Sequence, residues 1–442
     1  MRSVFVPWGV ALGESERLFD DLSRYTGVDG IELLDFRSQI EKVNYGAGTS
    51  PALRVLPSSG RFGPDLPVVK GDEFRAAQSF MSEARSRGFR ITCNFVPMWS
   101  GSDRFTGAAL VDVRGGRLTG PGDFPVHGCP NNPQMLKFGE FMMRQFVRAW
   151  PDMEVMALNH LEYPWMINWD DPKIDVESLF SCFCKACERS AGEQGLDFAR
   201  MKSEVRSFVA SLSRPSSWRE KGGGGVPSTV NADDVVHFFL GRPYLAEWLR
   251  FRMDSITRYS RSLISAGREA SKEYNPRLRF GLEFQLPSLS PLLGTDFLTL
   301  SSDLDLMIPK FPDYLPASVI PLFAKEVASR GSLDEGALLR LIRDAFDLGP
   351  GPRSYSSYGK PRHILLYSNA FDYSIVARQM KYLKPLVGKV PIQPYIWENN
   401  KDRRGLKRKI EALADAGFDD FFLWSWEDGI SSRHLRALKG IL

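Results

Sequence analysis

Three cysteines stand at C-x-C-x-x-C spacing in the segment SLFSCFCKACER: Cys182, Cys184 and Cys187, in a chain with five cysteines and five histidines. Thiols this close together in a polar loop have the spacing of metal ligands, whereas core cysteines are buried singly. Cys184 and Cys187 also have redox-pair spacing, but no thioredoxin-like βα pattern surrounds them. Cys93 lies in an apolar run and reads as core. A second set of chemical groups is acidic. Glu162 ends the run EVMALNHLEY and Glu398 ends VPIQPYIWEN, each beside aromatic residues. An acid in such a place is partly desolvated, which raises its pKa and suits general-acid work.

These groups need elements to hold them. Short apolar runs alternate with helical-period segments along almost the whole chain. The expected strands are β1 (3–8), β2 (30–36), β3 (90–99), β4 (154–163), β5 (277–286), β6 (304–311), β7 (390–399) and β8 (419–429). Eight strand–helix repeats predict an α/β fold, a (β/α)8 TIM barrel, with the chain 1–442 as a single domain. No G-x-G-x-x-G follows β1, which argues against a doubly wound open sheet. Two long insertions are expected after β4 and β6, at about 164–240 and about 312–375. The first holds the cysteine cluster and the Gly-rich stretch KGGGG; the second holds PRHILLYS, a strand-like run.

In a barrel, chemistry sits at the C-terminal strand ends. There β2 brings Glu32, β4 brings Asn159, His160 and Glu162, β5 brings Glu283 and Gln285, and β6 brings Lys310. Glu398 ends β7, and Trp424, Trp426 and Glu427 end β8. Two carboxylates facing each other about 5–5.5 Å apart fit retaining glycoside hydrolysis: one protonates the leaving oxygen and the other attacks the anomeric carbon. Glu283 and Glu427 are reserve candidates for the nucleophile. Trp8, Trp99, Trp165, Trp397, Trp424 and Trp426 fall at or just past strand ends, where indole rings stack on sugar C–H faces. Some of them are expected to fill the barrel core instead. Carbohydrate is therefore the expected substrate.

Other classes find little support. A net charge of +4 over 442 residues makes no case for nucleic acid or an acidic membrane. No apolar run is long enough to span a membrane. The N-terminus reads as a first strand, and clustered free thiols favour a reducing cytoplasm.

A β4 glutamate paired with a β7 glutamate, with Trp at the end of β8, resembles the clan A (β/α)8-barrel glycoside hydrolases. Within that clan, the family 42 β-galactosidases carry a C-x-C-x-x-C cluster shortly after the acid/base and a fourth cysteine upstream in a Cys-Pro-x-Ser-Pro segment. Here HGCPNNPQM matches that segment, with Asn132 in place of Ser. The resemblance implies Glu162 as acid/base, Glu398 as nucleophile, and structural zinc held by Cys129, Cys182, Cys184 and Cys187. Four thiolates close a tetrahedral site, so such an ion would hold loops together and perform no chemistry. His127 is a substitute ligand. Asn159, His160, Glu283, Lys310, Trp8, Trp397, Trp424 and Trp426 would bind substrate. Family 42 enzymes often form trimers, which implies a homo-oligomer. One departure is plain: the clan has Asn directly before the acid/base, and this chain has Leu161. Two other readings stand beside this one. A sugar isomerase or aldolase would use Lys310 as a Schiff-base lysine or His160 as a ligand. A non-catalytic carbohydrate-binding barrel is motivated by Leu161.

Overall fold

A computed structural model describes residues 2–6, 16, 18–20, 22, 29–33, 72–100, 107–118, 126–164, 167–168, 173–212, 237–311, 315, 319–331, 334–349, 373–398 and 403–425. The strands are β1 (Arg2–Val6), β2 (Gly30–Leu33), β3 (Arg90–Phe95), β4 (Val155–Leu158), β5 (Arg279–Phe284), β6 (Leu306–Phe311), β7 (Tyr395–Glu398) and β8 (Phe421–Ser425). They pair in parallel, in chain order, and β8 returns to β1 to close a barrel. The fold is α/β and TIM-barrel-like. PRHILLYS and KGGGG lie outside the described residues.

Parallel strands buried on both faces are built from apolar runs, and alternation divides each run between two cores. Val155, Ala157, Leu306, Ile308, Tyr395 and Phe422 face inward and form one cluster. The alternate residues, such as Met156, Leu158, Phe280 and Leu282, join the larger core beneath the helices. That layer includes α1 (Asp72–Ser86), α2 (Pro133–Ala149), α3 (Lys185–Glu193), α4 (Phe198–Ser211), α5 (Pro243–Tyr274), α6 (Ile320–Gly331), α7 (Glu335–Ala345), α8 (Ser374–Leu383) and α9 (Arg403–Asp415). Helices α2 and α5 pack closely because Gly139 has no side chain: a Cβ there would stand 2.6 Å from Tyr259 Oη. Among the described residues, no helix is long and apolar enough to cross a membrane.

Strand β4 is shorter than its sequence run. It stops at Leu158, and His160 adopts φ +50°. An extended strand cannot accommodate that angle, which is uncommon for a side-chain-bearing residue. The chain turns at His160, and period-two alternation no longer decides where Glu162 points. Leu161 is buried in the outer core, and its carbonyl accepts a hydrogen bond from Thr295 Oγ1 at 3.0 Å.

The motif CPNNPQM divides its work residue by residue. Asn132 caps α2, accepting from Gln134 N at 2.9 Å, and Pro133 occupies the first turn, where its missing N–H costs nothing. Asn131 donates to Ser255 Oγ on α5 at 2.9 Å and to Cys187 Sγ at 3.3 Å. The segment thereby ties the start of α2 to α5 and to the cysteine loop.

Candidate active site

Above the apolar inner cluster, the inward positions turn polar. Glu32 extends the layer from β2, Thr92 and Asn94 from β3, Glu283 and then Gln285 from β5, and Lys310 from β6. Asn159 and Glu162 follow β4. All of these are buried, with Glu162 only 6% exposed. Buried polar groups must find partners or stay destabilised, and most of them do here. Lys310 Nζ donates to Asn159 Oδ1 at 2.5 Å, and His160 N donates to the same oxygen at 2.7 Å. The turn at His160 brings its Nδ1 to 3.2 Å from Glu162 Oε1. Gln285 Nε2 donates to that oxygen at 2.9 Å. Asn94 Nδ2 donates to Glu32 Oε1 at 3.3 Å and to Glu283 Oε1.

The charges differ sharply between neighbours. Burial pushes the Glu162 carboxyl up. The His160 hydrogen bond, the Lys310 charge and Gln285 outweigh it, so its pKa lies below the ordinary value. The expectation that desolvation would raise this acid is therefore corrected: burial is present, but donors and an ammonium surround it. Burial lowers His160, assisted by Lys310, so the ring is neutral and donates to Glu162. Burial pushes Glu283 up to about 7, partly relieved by Lys310, and pushes Glu32 well above the ordinary carboxylate value.

The structure thus gathers Glu162, Asn159, His160, Glu283 and Lys310 at one barrel mouth. Glu398 ends β7, where its backbone pairs with Ser425 of β8; its side chain lies outside the described residues. The side chains of Trp99, Trp397 and Trp424 also lie outside them, as do Trp8, Trp165, Trp426 and Glu427 altogether. Sequence reasoning did not place Asn94 or Tyr395 in the site. The available signal was a polar group at inward spacing in runs that are otherwise apolar.

At the rim, the sulfurs of Cys129, Cys182, Cys184 and Cys187 lie within 4.8 Å of one another. Cys129 Sγ is 3.4 Å from Cys187 Sγ and 3.5 Å from Cys184 Sγ. Tetrahedral thiolate coordination at Zn–S of ~2.3 Å gives sulfur–sulfur edges of roughly 3.8 Å, so the set fits such an ion. His127 is not in the group; burial and His160 push it down to about 4. The cluster joins the loop after β3 to the loop after β4. Val111 N donates to Cys182 Sγ at 3.3 Å, and Asp112 pairs with Ser181. Beside it, the buried Arg252 guanidinium lies 4.1 Å from the Tyr163 ring centroid and 4.5 Å from that of Trp248.

No protein-family model matches this chain, and no curated protein does. Solved structures do. The catalytic domain of β-amylase from Paenibacillus polymyxa aligns with a TM-score of 0.53 at 10% identity, covering 100% of this chain and 97% of that one. The PgaB (BpsB) glycoside hydrolase domain from Bordetella bronchiseptica gives 0.52 at 10%, covering 100% and 98%. β-Galactosidase from the psychrophilic Marinomonas ef1 gives 0.52 at 11%, covering 99% of this chain and 58% of that one. At such identities the likeness is one of fold: the barrel is similar to those of solved TIM-barrel glycoside hydrolases, β-galactosidases among them.

Proposed function

We propose that this chain is a retaining glycosidase acting on β-glycosidic bonds, with Glu162 as acid/base and Glu398 as nucleophile. One observation carries the reading. Both hydrogen bonds to Glu162 fall on Oε1, and among the described residues Oε2 takes none. A buried carboxyl is thus oriented through one oxygen while the other is left for a substrate. Such an oxygen suits delivery of a proton to the departing glycosidic oxygen and its recovery from water in the second step. Glu398, at the end of β7, would attack the anomeric carbon. Asn159, His160 and Lys310 offer groups for sugar hydroxyls, and Trp8, Trp397, Trp424 and Trp426 would supply stacking faces. Cys129, Cys182, Cys184 and Cys187 would hold zinc; a closed tetrahedral set leaves no position for substrate, so its role is to fix the two loops. Free thiols in this number suit a reducing compartment such as the cytoplasm.

The low Glu162 pKa sets the pH dependence. The acid must be protonated to act, so the free enzyme loses activity as pH rises through a value below 4.5, and the optimum is acidic. The deciding experiment is Glu398→Gly assayed on aryl β-glycosides with and without azide. Loss of turnover, restored by azide with formation of a glycosyl azide, is expected. Retained activity, or loss without restoration, would remove Glu398 as nucleophile.

A further inference from the structure

Helix α5 carries a buried cation that the proposed reaction does not use. Arg252 is 2% exposed. Its guanidinium lies over the rings of Tyr163 and Trp248, and Nη1 donates to Leu292 O at 2.9 Å. Nε and Nη2 are buried and have no hydrogen-bond partner among the described residues. The groups that favour its charge are Tyr163 and Cys182, and no carboxylate is among them. A guanidinium keeps its proton in a protein, so a charge this deep must be balanced where it stands.

The thiols beside it supply that balance in one state. Four neutral thiols carry no charge, whereas four thiolates around a divalent ion carry a net charge of −2. The contacts around the sulfurs suit the charged state. Val111 N donates to Cys182 Sγ, and Asn131 Nδ2 donates to Cys187 Sγ, each at 3.3 Å. Arg258 can only donate, and its Nη2 stands 3.1 Å from Asn131 Oδ1, so the amide nitrogen is the end turned to the sulfur. Tyr163 Oη and Trp248 Nε1 are further buried donors with no partner among the described residues, and Tyr163 feels the charges of Cys187 and Cys129. Arg252, Ser255 and Arg258 recur every three residues, so α5 turns one face to the cysteine loop.

We propose that Arg252 is the counter-charge of a metal–tetrathiolate centre: its buried guanidinium offsets the negative charge that Cys129, Cys182, Cys184 and Cys187 acquire with a divalent ion. Helix α5 and the metal then hold one another in place. Arg252 is a positioning residue, acting on the ion through the thiolates. This inference rests on the reading of the four cysteines as metal ligands and is independent of the glycosidase reading.

Metal binding by the full chain tests it without any glycoside. Reduced, metal-free protein is titrated with Co²⁺, whose visible absorption reports thiolate coordination, and competition with Zn²⁺ then gives the zinc affinity. The wild type is expected to bind about one equivalent. Arg252→Gln keeps a planar amide but no charge. It should show the same cobalt spectrum and a zinc affinity lower by about 10–100-fold. Arg252→Lys keeps the charge and should retain most of the affinity. The rise in melting temperature on adding zinc shrinks in Arg252→Gln and persists in Arg252→Lys. Wild-type affinity in Arg252→Gln, or an equal loss in both variants, would overturn the proposal, the second outcome showing that shape and not charge matters. A wild type that takes up neither ion removes the counter-charge role together with the metal reading and leaves the glycosidase reading untouched. Should Arg252→Gln not fold, Arg252→Met takes its place with the same outcomes.

Discussion

Two buried polar clusters share one end of this barrel and are built on opposite plans. At the rim, four identical thiols come from two loops and face one another. In the mouth, unlike groups meet: three carboxyls, an ammonium, an imidazole and several amides, drawn from the ends of β2 to β6. Equivalent ligands saturate one another and leave nothing over. Unequal neighbours pull Glu162 below and push Glu283 and Glu32 above the ordinary value, and among the described residues Oε2 of Glu162 accepts no hydrogen bond. A closed set suits fastening, and an uneven one suits moving a proton.

This contrast can be broken in order of effect. The largest is expected in the mouth. Glu162→Gln keeps the Gln285 and His160 neighbourhood but cannot deliver a proton, so kcat/KM on poor leaving groups falls by about 10²–10⁴-fold. Its melting temperature should change little. A variant with near wild-type turnover would show that Glu162 is not the acid.

At the rim the pattern reverses. Metal analysis of chelator-free protein should find about one zinc per chain. Removing it, or making Cys129→Ser, destabilises the fold by roughly 2–4 kcal/mol, while kcat of the molecules that remain folded changes little. Less than half an equivalent of zinc in the wild type, with Cys129→Ser melting unchanged, would contradict the clasp.

The smallest effect sharpens the electrostatics. The folded pKa of Glu283 is raised, so its contribution to stability is fully present below the ordinary glutamate value of 4.5. That contribution is lost as pH rises to about 7 and is level above. Glu283→Gln removes that slope, and at pH above 7 the variant gains on the order of 1 kcal/mol relative to the wild type's trend. Parallel melting curves across that range would show that Glu283 is not raised.

The barrel was readable because its strands are short apolar runs separated by helical-period segments; seven of the eight observed strands fall inside the expected runs, and β1 begins one residue earlier, at Arg2. The cysteine pattern was readable for a similar reason: three thiols lie within six residues, and the fourth sits in a motif that caps a helix. The acidity of Glu162 was not. Its sign depends on Lys310, whose partner Asn159 lies 151 residues earlier, and on a turn at His160 that no periodicity announces. The sharing of Asn94 Nδ2 by Glu32 and Glu283 was hidden too, because β2 and β5 meet only across a closed barrel. Glu398 was marked by position alone, and only its backbone is described.

The cysteine clasp also bears on the unfolded chain. Cys129 and Cys187 are 58 positions apart, and the segment between them carries α2, β4 and Glu162. An ion gripping both would close that loop before folding begins, removing conformational entropy from the denatured ensemble worth roughly 4 kcal/mol. A metal-loaded chain would then search for the β3–β4 pairing from a shortened loop, and a metal-free chain from an open one. Although the ion would take no part in chemistry, its supply would govern how quickly Glu162 reaches its place.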